Sequence, residues 1–396
     1  MARRLRIPVC LYLGLAAVAS GLAAQPAAAV VLAPGDLVAV VAERQIVRAD
    51  RATGAVELIS TGGLMSTVYG MALAPDGKLA VLGFSSRCST DPSACGAHLF
   101  RIDPADGSQT DVAIFPPESP WAMPFRLPLE PGGRTAVFLP NPDLHRVDLE
   151  TGAVTIVASI PASGGISYSV AVAPDGTIYA SDAEAGALYR IDPVSGAVAL
   201  VADGLELGAG FYRTHGIAVD LQGFVVGTRY DPPALLRVDP ATGEQTEIAS
   251  GGVLSGPSGL VIDRDGAFWV AEVFADALVR IDPTTGDQSP IALPYVVSGF
   301  AMIPYPACSN GRDDDGDGRI DFDGGIQAGI PAALRTEPDP QCASQPGWNN
   351  ESHARACGLG GELAVLAWAL QARNARRMRR IASSTFSRAL KAESLR

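Results

Sequence analysis

The sequence predicts an all-β fold, a six-bladed β-propeller closed by its own C-terminal strand, and three observations lead there. A short turn recurs six times, alternating apolar runs flank every copy, and the unit is that of a four-stranded blade. The turns are DRATG (50–54), DPADG (103–107), DLETG (148–152), DPVSG (192–196), DPATG (239–243) and DPTTG (282–286), with first residues 53, 45, 44, 47 and 43 apart. Four strands in roughly 45 residues is the period of propeller blades. Paired amphipathic helices would instead place apolar residues three and four apart, and no such pattern runs through these units.

Each turn has its own chemistry. Asp at the first position bonds backbone amides further along, Pro fixes φ at the second position, and Gly accepts the positive φ that closes the loop. Runs such as ALYRI, LLRV and LVRI precede the turns, and AVTIVA or AVALVA follow them. Upstream lies a second hairpin, seen in GMALAPDGKLAVL, VAVAPDGTIYAS and GLVIDRDGAFWVA. The first unit lacks an innermost strand, and SGFAMIP (298–304) matches the missing piece, so the propeller is expected over 36–304 with this strand completing the first blade. A ring closed in this way leaves no wide open sheet edge.

Outside the repeats, residues 1–29 have a basic start (Arg3, Arg4, Arg6), an apolar stretch and a small-residue exit at Ala27 to Ala29, the pattern of a secretory signal peptide. Of the six cysteines, Cys10 leaves with that segment. In an exported protein the first pairs to expect are Cys88 with Cys95 and Cys308 with Cys342, with Cys357 left over.

The formal net charge is −12, but the N-terminal segment carries +3 and residues 371–396 carry +7, so the body between them carries −22. A body this acidic repels phosphates and argues against nucleic acid as a partner. It is better matched to cations.

The units GIAVD…GFVVGTRYDPPALLRVDPATG and GLVIDRDGAFWVAEVFADALVRIDPTTG resemble the NHL, gluconolactonase (regucalcin-like) and streptogramin lyase-like group of propellers. The resemblance covers about 270 residues and rests on strand and turn motifs, so it implies architecture more than activity. In gluconolactonase-like relatives a central cation is held by acidic and amide side chains, and in streptogramin lyase-like ones a histidine and glutamates act beside a metal. A divalent metal in the channel is what the resemblance implies for this chain, although no second histidine stands at an equivalent position and no matching asparagine set is present.

Topology places His215, at the start of an inner strand, on one face with Asp182, Arg229, Glu272 and Tyr69. A histidine with carboxylates can hold a metal or act as a general base. The structural alternative is that Asp182 and Glu272 bond loop amides and that Arg229 pairs with Glu272 or Asp231. His98 and His145, beside third-strand patterns, read as packing or surface residues. The familiar hydrolase, zincin and nucleotide motifs are absent from the sequence.

The strongest chemical motif lies beyond the propeller, in CSNGRDDDGDGRIDFDGG (308–325). Asp313, Asp315 and Asp317 stand at loop positions one, three and five, Arg319 offers its carbonyl at seven and Asp321 falls at nine, the oxygen-rich spacing of an EF-hand-like Ca²⁺ loop. Gly324 occupies position twelve, where a bidentate acid is usual, leaving Asp323 or Asp339 to substitute. With DPQC at 339–342 the segment resembles a bacterial extracellular calcium segment, a small irregular module over 305–350.

Residues 357–380 then combine small residues, a short apolar helix and an Arg cluster (Arg373, Arg376, Arg377, Arg379, Arg380), resembling a C-terminal sorting tail of Gram-negative surface proteins. A basic tail, 381–396, follows and reads as disordered. The apolar run is far shorter than the roughly 20 residues that span a bilayer. The expectation is an exported monomer, periplasmic, secreted or surface-associated, with envelope contact through the tail. Its work would be binding a protein, glycan or small ligand at the His215 face. A metal-dependent lactonase or lyase, or a purely structural surface protein, is the alternative.

Overall fold

The computed structural model describes residues 30–305, except 43, 75, 92–94, 116–126, 132, 140–141, 162–167, 206–215 and 295–296, together with Cys342. The leader, the calcium loop with Cys308, and the C-terminal tail lie outside the described residues. Within them the chain is the expected propeller of six antiparallel sheets.

Blade one begins with β1 (Leu37–Val41), β2 (Gln45–Ala49) and β3 (Val56–Thr61). Blade two is β4 (Met65–Leu73), β5 (Leu79–Ser85), β6 (Ala97–Ile102) and β7 (Gln109–Phe115). Blade three has β8 (Thr135–Phe138), β9 (Asp143–Asp148) and β10 (Val154–Ser159). Blade four is β11 (Tyr168–Val172), β12 (Ile178–Asp182), β13 (Ala187–Ile191) and β14 (Val198–Ala202). Blade five is β15 (Ile217–Val219), β16 (Val225–Arg229), β17 (Ala234–Val238) and β18 (Gln245–Ser250). Blade six is β19 (Pro257–Ile262), β20 (Phe268–Glu272), β21 (Ala277–Ile281) and β22 (Gln288–Ala292). The last strand, β23 (Val297–Met302), returns to blade one and pairs antiparallel with β1, Leu37 opposite Met302 and Ala39 opposite Phe300.

Blade three departs from the expected four strands. Its inner position is taken by Leu127–Glu130, which makes a single bridge, Leu129 to Ala136, and two flanking backbone hydrogen bonds rather than a ladder. Pro128 lies within this stretch and Pro131 follows it, and proline cannot donate to a sheet.

All six repeated turns behave as their residues require. The aspartate Oδ1 accepts from the amide two residues on in every copy, as in Ala52 to Asp50 and Ala241 to Asp239. The glycines have φ between +69° and +76°. Glycine serves a second end here. A Cβ on Gly54 would sit 2.2 Å from the carbonyl oxygen of Ala292, one on Gly196 would sit 2.3 Å from that of Val157, and one on Gly286 would sit 2.5 Å from that of Ile248. Each turn thus presses against the outer strand of the preceding blade, so the motif is also the spacer that sets blade-to-blade distance around the ring.

The core lies between blades rather than within one. Leu37, Ala39 and Val47 of blade one pack with Trp269, Ala271 and Leu278 of blade six across the seam. Phe138 and Ala136 pack with Leu82 and Leu99 across blades two and three. Trp269, Phe268 and Tyr179 are buried, as the sequence suggested, and Trp121 lies outside the described residues.

Candidate functional site

The propeller axis has two ends. One, the connection face, carries the starts of the inner strands and the ends of the second strands. The other, the turn face, carries both families of hairpin turn.

At the connection face the sequence-derived residues come from separate blades. Asp182, Arg229 and Glu272 are the last residues of β12, β16 and β20 and are all buried. Asp182 Oδ1 accepts from the amides of Glu184 and Ala185, both at 3.0 Å. Glu272 Oε2 accepts from the Ser255 amide at 2.9 Å, the Ser255 hydroxyl at 3.0 Å and the Gly256 amide at 2.8 Å. Ser85, last in β5, does the same work with a neutral hydroxyl, accepting from the Arg87 amide at 3.2 Å. At the end of a second strand Ser85, Asp182 and Glu272 each serve as acceptors for loop amides, although blade five has Arg229 at the position of Asp182 and Glu272.

Arg229 donates to the Pro232 carbonyl at 2.7 Å and pairs with Glu247 at 3.0 Å, rather than with the Glu272 or Asp231 that its sequence position suggested. Tyr69 is half-buried and packs edge-on to Phe84 at 5.5 Å between centroids. His215 lies outside the described residues. Among the described residues no three His, Cys, Asp or Glu side chains gather as a metal site. Glu272 retains one distinctive property: its second oxygen, Oε1, is buried and finds no hydrogen-bond partner among the described residues, and burial pushes its carboxyl above the usual carboxylate range.

The histidines of the third strands are packed. His98 is fully buried, bonded through Nδ1 to Asp111 at 3.0 Å and stacked on Phe100. His145 lies edge-on to Phe138. The Cys88–Cys95 disulfide forms as expected, and Arg87 beside it pairs with Asp111. Cys342 is disulfide-bonded; its expected partner, Cys308, lies outside the described residues.

The axis itself holds a cavity of about 320 Å³, walled by the inner strands β4, β11, β15, β19 and β23 and by Leu127–Leu129. Its partly exposed hydrocarbon side chains, Leu73, Val172, Ala218, Ile262 and Ala301, are set between the backbone edges of the inner strands, and its charged and hydroxyl side chains, Asp263, Arg264 and Tyr305, stand at the turn face. Asp263 is the hub. Its Oδ2 accepts from Arg51 at 2.5 Å and from the Trp269 indole at 3.3 Å, and its Oδ1 from the Arg264 amide at 2.8 Å and the Tyr305 hydroxyl at 3.2 Å. The Arg51 guanidinium also reaches the Tyr305 hydroxyl at 3.4 Å. Burial, with the Asp263 charge beside it, pushes the Tyr305 phenol upward.

This cluster was not foreseen, yet the sequence carried a signal for it. Four of the six turns have Pro after the aspartate; blade one has Arg51, in the turn that faces the seam with blade six. A second unread signal is an arginine two residues before every turn aspartate: Arg48, Arg101, Arg146, Arg190, Arg237 and Arg280. Arg146 forks onto Glu130 at 2.6 and 2.5 Å, Arg237 pairs with Asp220 at 2.9 Å and Arg280 with Asp265 at 2.7 Å. Arg101 pairs with Asp76. In blades two, three, five and six the third strand is therefore tied by charge to the hairpin before the second strand.

No protein-family model and no curated protein matches the chain. Solved structures do. A chain of the nidogen/laminin complex is 12% identical, with a TM-score of 0.53 over 67% of this chain and 97% of that one. TolB from Acinetobacter baumannii is 16% identical, with a TM-score of 0.51 over 68% of this chain and 67% of that one. The virginiamycin B lyase of Staphylococcus aureus is 20% identical, with a TM-score of 0.43 over 57% and 70%. At these identities the likeness is one of fold, the six-bladed propeller that the turn repeats predicted.

Proposed function

We propose that this chain is an exported binding propeller that takes a small ligand into its axial cavity from the turn face. The observation that carries the reading is the cavity itself: apolar side chains from every blade and a few convergent polar side chains at one end are the usual form of a small-molecule site. Its volume falls at the lower end of the range typical of such sites. The sequence placed binding at the opposite face, but there Asp182 and Glu272 are engaged with loop amides.

Export rests on residues 1–29, and the segments beyond the propeller fit an envelope role, with Asp313, Asp315, Asp317, Arg319, Asp321 and Asp323 offering oxygens to a structural Ca²⁺ and the basic tail facing the membrane. A small-molecule thermal-shift screen on the intact chain tests the binding reading. Ligands should raise the melting temperature of the wild type and not of Ala218→Phe, which fills the cavity from β15. Equal shifts in both proteins would place binding elsewhere.

A second reading, metal-dependent lactonase or lyase chemistry at the connection face, draws on Glu272 Oε1, a buried acceptor to which no described residue donates. It predicts one divalent ion bound by a chain carrying residues 30–304 and lost in Glu272→Ala. No ion in the wild-type propeller would remove it.

A further inference from the structure

The charge arrangement at the cavity mouth restricts the ligand. Arg264 lies between two aspartates, and both are spoken for: Asp263 is paired with Arg51 and Asp265 with Arg280. The two oxygens of Asp263 already accept four hydrogen bonds, so that carboxylate has no further call on a cation. Among the described residues no carboxylate pairs with the Arg264 side chain; its guanidinium sits over the Tyr305 ring, 4.5 Å from the centroid. That ring is held in place by the hydroxyl bonds to Asp263 and Arg51. A cation stacked on a fixed aromatic ring keeps its in-plane N–H groups available, the geometry that accepts a carboxylate fork.

Behind this cation the lining side chains are hydrocarbon, the partly exposed ones being Leu73, Leu129, Val172, Ala218, Ile262 and Ala301, with inner-strand backbone between them. A cavity of about 320 Å³ corresponds to roughly ten water-sized volumes of about 30 Å³, hence to a ligand of about ten non-hydrogen atoms. We infer that the ligand is a small apolar monocarboxylate, its chain or ring in the cavity and its carboxylate on Arg264. This deepens the binding reading above and rests on it. An apolar amine would bring like charge to the guanidinium, and an apolar alcohol would leave it without a counter-ion.

Calorimetric titration of the full chain with octanoate, octan-1-ol and octylamine tests the inference, using wild type, Arg264→Gln and the cavity-filling Ala218→Phe, with Ala301→Leu as a second filling variant should the first fold poorly. Octanoate is expected to bind the wild type, to weaken at least tenfold in Arg264→Gln and to be lost in the filled variant. Octan-1-ol should bind more weakly and equally in wild type and Arg264→Gln. Equal binding of octanoate and the alcohol or amine, or octanoate binding unchanged in Arg264→Gln, overturns the carboxylate assignment, while sensitivity to filling still upholds the cavity. Octanoate binding that survives filling, or no binding by any of the three probes, overturns both.

Discussion

The two ends of the propeller use the same residue types for different purposes. At the connection face Asp182 and Glu272 satisfy backbone amides of the loops beside them, and a serine, Ser85, does the same in blade two. At the turn face Glu130, Asp220, Asp263 and Asp265 each meet an arginine. Amide capture needs a lone pair and fixes a local loop. Ion pairing needs opposite charge, joins strands and even blades, and leaves a remainder wherever cations and anions do not match in number, as at Arg264. A buried acid is therefore a poor sign of chemistry until its partners are known.

The largest test of this contrast is Asp263. Asp263→Asn keeps one acceptor oxygen, turns the other into an amide that cannot accept, and strands Arg51, whereas Asp182→Asn keeps the single oxygen that both loop amides use. Breaking a buried pair costs about 3–5 kcal/mol, and because Arg51 is 36% exposed solvent screening reduces this to about 2–3 kcal/mol. Asp182→Asn should cost about 1 kcal/mol or less. Denaturant unfolding of the two variants checks the order; equal losses would mean that charge is irrelevant at the turn face. Glu130→Gln should fall between them, at about 1–2 kcal/mol, since its fork to Arg146 is short but the arginine is 28% exposed.

A subtler effect separates the two acids by pH. Burial raises the Glu272 carboxyl above its ordinary value of 4.5, so its contribution to stability is complete below that value and declines as pH rises through the elevated folded one. Glu272→Gln keeps an acceptor oxygen and cannot ionise. The wild type should therefore lose stability relative to Glu272→Gln between acid and neutral pH. Parallel curves from pH 4 to 8 would show that the Glu272 carboxyl titrates alike in the folded and unfolded chain.

How much of this the sequence disclosed follows from range. The repeated turns are local, set by Asp and Gly four residues apart, and they could be read directly along with the closing strand. The acceptor role of Asp182 is nearly as local, since its amides lie two and three residues on. The Asp263 hub is not local: Arg51 is 212 residues away, and only ring closure brings the two together. Blade three lost its inner strand to prolines whose effect depends on which edge a neighbour must pair. The arginine of the third strand was legible but unread, because in one blade it resembles any solvent-facing charge; its meaning appears when six copies are aligned on the turn.

The smallest expected effect is the most informative about Arg264. If this residue were one more link in the turn-face network, Arg264→Gln would resemble Asp263→Asn. Among the described residues its interactions are a stacked guanidinium and no carboxylate, and an exposed cation–π contact is worth about 0.5 kcal/mol. For a domain of this size that is a melting shift on the order of 1–2 °C, whereas Arg51→Gln, which leaves Asp263 short of its counter-ion, should shift melting several-fold further. A side chain held in place at so little benefit to the fold, at the mouth of an apolar cavity and with its neighbouring acids neutralised by other arginines, has its charge directed outward to a ligand. A loss at Arg264 as large as at Arg51 would return it to the scaffold.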